Sequence, residues 1–301
     1  MVSLDSVVAW GRNNAGQCNV PAGLTAKQIA GGFSHSLALR YDGTVVAWGD
    51  NNYGQCSVPA GLVAKQVAAG SQHSLAIRED DGTVVAWGWA ATYGQCDVPA
   101  GLTAVAVAGG GIHSLAIRED DGTVVAWGDN TFSGQCNVPA GLTAKQIAGG
   151  HYHSLALRYD GSVAAWGYNN YGQCSVPAGL VAKQIAAGDH HSLAIREDDG
   201  TVVAWGRNDG GQCDVPAGLT AVAVAAGFAH SLALRPDGSV VVWGANAYGE
   251  QVVPEGLTAA VIAAGNSHIL TVAGFPELPK PLRDRRRRRA AWMNMERPAF
   301  F

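Results

Sequence analysis

The chain has 301 residues, 48% hydrophobic and 15% charged, with 40 glycines and a formal net charge of −4. That composition is globular, and a chain of this length buries about 75% of the surface it exposes when unfolded. No apolar run approaches the length of a membrane-spanning helix. Residues 275–301 carry +5, which leaves −9 on residues 1–274 and argues against non-specific nucleic-acid binding by the body.

Met1 leads almost directly into a first apolar run, Ser6 to Trp10. That leaves no room for a secretory signal, so either the protein stays inside the cell, with a cytoplasmic location the expectation, or the sequence is a mature or trimmed form. From there one unit repeats seven times, each copy marked by Ala-Trp-Gly, or Val-Trp-Gly in the last. The tryptophans are Trp10, Trp48, Trp87, Trp127, Trp166, Trp205 and Trp243, spaced by 38 to 40 residues. A fixed period in this range signals a solenoid or propeller whose units cannot bury a core alone.

A middle copy shows the pieces. Leu142 to Ala148 is a short apolar run ending in Gly149-Gly150, and Ser154 to Arg158 is a second. A Tyr-Asp-Gly turn at Tyr159 to Gly161 leads into a third, Val163 to Trp166. Short runs bounded by Gly, Asn and Pro, with Asp-Gly between two of them, read as strands and hairpins. Val138-Pro139 marks a bend or edge, since proline cannot donate to a ladder. About four short strands per 40 residues predict a propeller blade. The chain starts mid-unit at Asp5 to Gly11 and ends its repeats mid-unit at His268 to Val272. The two halves make one complete unit, so the terminal strands should share a blade and close a ring. The prediction is an all-β, seven-bladed propeller over residues 1–274, with four-stranded blades. A basic, disordered tail is expected at 275–301, with five consecutive arginines at Arg285 to Arg289.

A second period lies on the first. Gln-Cys-Asn, Gln-Cys-Ser and Gln-Cys-Asp follow in that order at Cys18, Cys56 and Cys96, and again at Cys136, Cys174 and Cys213. A three-unit block has been duplicated, and the seventh unit, with Gln251 at the cysteine position, is the odd one.

The pattern Gly-x-x-His-Ser-Leu-Ala-Leu, Asp-Gly-x-Val, Trp-Gly-x-Asn, Gly-Gln resembles the repeats of the regulator of chromosome condensation family. The resemblance implies a seven-bladed propeller over residues 1–274. The family's exchange factor acts on a small GTPase through one propeller face and an inserted wedge. These compact units hold no insertion, and Gly-Gln-Cys-x-Val-Pro replaces the family's Gly-Gln-Leu-Gly. The short form is more similar to bacterial members, propeller-type β-lactamase inhibitors among them.

The repeated residues read as structural. Six cysteines at equivalent positions should stand too far apart around a ring for disulfides, and are expected as small buried packing residues. Seven histidines, His35, His73, His113, His153, His191, His230 and His268, are expected in structural hydrogen bonds to backbone and not as metal ligands. His151 and His190 fall outside that pattern and are expected to be exposed. The acidic turns, Glu79-Asp80-Asp81 among them, are hairpin chemistry. No nucleophile–base pair, phosphate loop or metalloprotease motif stands out, so neither enzyme activity nor a cofactor is expected.

The copies differ in two loops, one before the repeated histidine and one after Trp-Gly. Strand parity puts both on one face of the ring and the acidic turns on the other. Phe33, Trp89, Phe132, Tyr152, Tyr168, Phe228, Arg12 and Arg207 are the candidate binding residues there. Aromatic and arginine side chains are enriched at binding hot spots. Tyr53, Tyr93, Tyr171 and Tyr248 recur just before a glycine and should pack between blades. The expectation is a monomeric, non-enzymatic scaffold or inhibitor for a protein partner. It should need no membrane and no nucleic acid. Guanine-nucleotide exchange is the alternative the family implies. A lectin or enzyme using the same face or the central channel is a third reading.

Overall fold

The computed structural model describes residues 5–90, 92–131 and 133–274. The predicted tail at 275–301 lies outside them, as does Phe132. Among the described residues are twenty-one strands and no helix. The first copy sets the plan: β2 (Gln28–Gly31), β3 (His35–Leu39) and β4 (Val45–Gly49) form an antiparallel sheet in the order β2-β3-β4. Six such sheets follow one another along the chain. The seventh is made of β20 (Ala259–Ala264), β21 (His268–Ala273) and the N-terminal β1 (Val7–Gly11), in the order β1-β21-β20. Val7 pairs with Val272 and Gly11 with His268, so the two ends of the repeat region share a blade as the half-units predicted.

Each sheet has three strands where four were expected. The segment leading to the next blade, such as residues 50–63, stays irregular because its polar groups bond locally. Asn51 Oδ1 accepts from the Cys56 N–H, and Ser57 N–H reaches the Gly54 carbonyl. Pro59 has no N–H to give. A single bridge between Thr44 and Val63 is what remains of further pairing there.

The core lies between blades. Leu37 and Leu39 of one blade pack against Leu62, Val67 and Trp87, which belong to the next blade or the segment leading into it. Seven such clusters occupy the seven seams. In the closing seam Leu270 and Val272 meet Ile29 and Trp48. Leucines and isoleucines of the middle strands are almost fully buried. Six of the seven tryptophans are 6–8% exposed, and Trp10 is partly buried.

Polar groups in these seams form a repeated circuit. Trp48 Nε1–H and Ser36 Oγ–H both donate to the Gln17 carbonyl at 2.9 Å. Ser36 Oγ in turn accepts from His268 Nε2 of the preceding blade at 3.0 Å. His35 to Ser74, His73 to Ser114, His113 to Ser154, His153 to Ser192 and His191 to Ser231 repeat the link at 2.9–3.1 Å. The histidine partner is thus a serine hydroxyl and not backbone. Because the serine spends its proton on a carbonyl, the histidine must carry its proton on Nε2. His230 breaks the series, since Ile269 stands at the serine position, and its Nε2 has no partner. The glycine before each histidine makes room for the ring: a Cβ on Gly150 would fall on His153 Cε1.

The cysteines are free and half-buried. Each thiol donates to the carbonyl of the residue after Trp-Gly, as Cys56 does to Asp50 at 3.1 Å. They are therefore weak donors in a loop rather than buried packing residues. In the acidic turns, Asp81 Oδ1 accepts from both the N–H and hydroxyl of Thr83, as a turn aspartate should.

Candidate binding face

Both variable loops lie on one face, as strand parity requires. In every blade the residue after Trp-Gly donates its N–H to the residue before the repeated histidine, for example Tyr168 to Tyr152 at 2.8 Å and Asp50 to Ser34 at 2.8 Å. The central channel opens on this face. It encloses about 350 Å³ and is lined by the seven inner strands, mostly by their alanines and glycines, with Gln28, Gln66 and a few valines and isoleucines. Phe33, His151, Asp189, Phe228 and Asn266 stand at its mouth. A ring of backbone bonds ties that mouth together, including Phe33 N–H to Ser71 O, His151 N–H to Asp189 O, and Phe228 N–H to Asn266 O.

The candidate residues separate into groups. Trp89 sits between Tyr53 (ring centroids 5.3 Å apart, stacked) and Tyr93 (5.1 Å, edge-on). Tyr152 and Tyr168, 6.3 Å apart, belong to a second cluster with His151, His190 and Tyr171. Arg207 lies over the Tyr171 ring at 5.1 Å and pairs with Asp209 at 2.8 Å. Arg12 lies apart, over Tyr248 at 5.0 Å. Phe33 and Phe228 are 39% and 45% exposed and flank Asn266 at the channel mouth, without a ring contact to either cluster. The repeated tyrosines do pack across seams, yet Tyr53, Tyr171 and Tyr248 keep 43–47% of their surface exposed.

Sequence reasoning missed the centre of the second cluster. His151 and His190 are not free surface histidines. His151 Nδ1 and His190 Nε2 hold the two oxygens of Asp189 at 2.8 and 3.1 Å, and the Asp189 side chain is only 9% exposed. Burial holds the His190 pKa below its usual value against the pull of Asp189. Burial, then Asp189, Tyr93 and Asp129, push the Tyr152 hydroxyl pKa up, so these groups share one neighbourhood. The signal was present as Asp-His and His-Tyr in the loops before His191 and His153. It could not be read because the two loops are far apart in sequence and meet only across a seam.

A closed ring of near-identical three-stranded blades, with its variation gathered on one face, defines a repeat propeller. The family model of the regulator of chromosome condensation (RCC1) repeat matches residues 26–55, 64–95, 104–135, 144–173, 182–212 and 221–250. These segments cover more than half of the chain, which belongs to that family.

A comparison with curated proteins finds no match. Among solved structures, Prp20p from Saccharomyces cerevisiae, described with its binding properties to Gsp1p and histones, superposes with a TM-score of 0.75 at 21% identity. That match covers 98% of this chain and 96% of the other. Yeast RCC1 (Prp20) in the structure with Kap60 gives 0.77 at 21%, covering 97% and 92%. The ectodomain of the Physcomitrella patens receptor kinase CR4 gives 0.68 at 23%, covering 78% of this chain and 66% of that one. This chain therefore spans slightly less than two thirds of that ectodomain. At these identities the likeness is one of fold.

Proposed function

We propose that the chain is a non-enzymatic scaffold that binds a protein partner through the variable face. One observation carries the reading: aromatic side chains gather on that face in two clusters, around Trp89 and around Tyr168, where the rest of each repeat is nearly invariant. Tyrosine and tryptophan bury large area at small entropic cost, which suits a docking face. The same reading takes the chain as a monomer that works without a cofactor.

The test is affinity capture with wild type beside a Trp89→Ala/Tyr168→Ala variant of unchanged fold. A partner held by the first and lost by the second supports the reading; a partner held equally by both overturns it. An inhibitor is one version, which the resemblance to bacterial members implies, and inhibition assays on β-lactamases check it.

Guanine-nucleotide exchange is a second reading. It is favoured by the fold shared with Prp20p, whose binding to Gsp1p is described. Accelerated nucleotide release from a small GTPase would support it.

A further inference from the structure

The loops after Trp-Gly can be numbered one to seven, from residues 12–17 to 245–250. Neighbouring loops meet in a fixed register: the residue that leads one loop lies against the tyrosine of the loop before it. Trp89 of loop three meets Tyr53 of loop two. Arg207 of loop six covers Tyr171 of loop five, and Arg12 of loop one covers Tyr248 of loop seven. At two seams, then, the fold itself places a guanidinium over a tyrosine ring.

The seam between loops three and four differs. Its tyrosine is Tyr93, and the residue leading loop four is Asp129. Asp129 is 7% exposed, and its Oδ1 accepts from the N–H and hydroxyl of Thr131. Its Oδ2 takes only a long contact from Gln135 Nε2, at 3.5 Å, and among the described residues no cationic side chain pairs with it. A buried carboxylate without a cation is costly unless something compensates it. The loops of this face hold five carboxylates, Asp50, Asp129, Asp189, Asp209 and Glu250, against two arginines, and those two cover the tyrosines of other seams.

A second observation falls at the same seam. Loops three and four each have one residue more between the leading position and the glutamine than the other five. In loops one, two, five and six, that glutamine's Oε1 accepts the N–H two residues before it. In loops three and four the glutamine oxygen makes no such bond. Gln95, 1% exposed, has no partner for either Oε1 or Nε2, and Gln135, 0% exposed, has none for Oε1. Gln17 and Gln173 also leave Nε2 without a partner, but among the described residues only in loops three and four is a buried amide oxygen left without a donor, and such a group calls for a polar partner.

We propose that this seam takes the guanidinium of an arginine from a basic segment of a protein partner, against Tyr93 and beside Asp129, where the Gln95 and Gln135 amide oxygens lack donors. A guanidinium fits the donor set. It is planar, stacks on aromatic faces, and offers five N–H donors to carboxylate and amide acceptors. The inference rests on the scaffold reading and names the chemistry of its partner.

The experiment titrates the full chain with a short, end-capped peptide whose only charged residue is one arginine, and with the same peptide bearing citrulline, followed by tryptophan fluorescence and calorimetry. The arginine peptide is expected to bind at least tenfold more tightly than the citrulline peptide. That preference should vanish in Asp129→Asn and in Tyr93→Leu, and persist in Tyr171→Leu, which alters a seam that already has its arginine. Unchanged melting temperatures show the variants are folded. Equal binding of both peptides, or an arginine preference that survives Asp129→Asn, overturns the proposal. So does binding seen only after Arg285 to Arg289 are replaced by alanine, because the chain's own tail is then the occupant. The assay needs no partner, so its failure leaves the scaffold reading standing. A failed capture experiment leaves this site measurable.

Discussion

His268 donates its Nε2 proton to Ser36, 3.0 Å away and 232 residues earlier in the chain. The bond joins the last repeat to the first and is the same link that five other seams make. Ser36 then passes its own proton to the Gln17 carbonyl, so one hydroxyl satisfies two blades. Replacing it leaves a fully buried imidazole N–H unpaired. Ser36→Ala should cost about 1–3 kcal/mol, seen as a lower Tm. His268→Ala in the same background should add less than it costs alone, because the two act as a unit. An unchanged Tm for Ser36→Ala would mean that closure does not depend on this circuit.

The ring of histidines should make the protein acid-sensitive. Burial holds His35 and His230 down at about 4, and His73, His113, His153, His191 and His268 at about 3, from an ordinary value of 6.5. Their folded pKa values are depressed, so below pH 6.5 the unfolded chain binds protons that the folded chain refuses. Stability is complete above pH 6.5 and is lost as pH falls toward 4. The slope is about 1.4 kcal/mol per pH unit for each such histidine. Circular dichroism melts between pH 7.5 and 4 should show a steep fall in Tm. A flat profile would contradict the neutral, buried state.

Trp127 is 8% exposed, packs against the preceding blade, and donates Nε1–H to the Gln95 carbonyl at 2.9 Å. Trp127→Ala should destabilise by about 3–5 kcal/mol. Trp127→Phe keeps much of the packing and should lose only about 1 kcal/mol beyond its volume change, the worth of the hydrogen bond. Calorimetry of the two variants separates packing from the bond. Equal losses would mean that the indole N–H carries the whole effect.

The thiols should be sluggish. Burial pushes Cys18, Cys56, Cys96, Cys174 and Cys213 up to about 11 and Cys136 to about 12. The thiolate is the reactive form, so labelling by a disulfide reagent at pH 7.5 should run on the order of a hundredfold slower than for an open thiol. In denaturant all six should react at the ordinary rate. Rapid labelling of the native protein would refute the buried, donating thiol.

The repeat made the ring legible. Trp-Gly and Gly-x-x-His recur because each does one local job in every blade, and counting them counts blades; the Asp-Gly hairpin recurs in all but the closing blade. The half-units at Asp5 to Gly11 and His268 to Val272 foretold the shared blade, since strand pairing needs a complete unit. The fourth strand was over-read. A period of about 40 residues left room for a fourth strand, but Asn51 and its equivalents take the N–H that a ladder would use.

Composition, period and parity, all properties of one unit, were set by the sequence alone, and they determined the propeller, its closure and the face on which the copies differ. Which residues of that face meet was decided only by the ring. Asp189 between His151 and His190, Arg207 over Tyr171, and Trp89 against Tyr53 are relations across seams. Their partners are separated by whole repeats in the chain and are brought together by the packing of one blade on the next, which no single unit encodes.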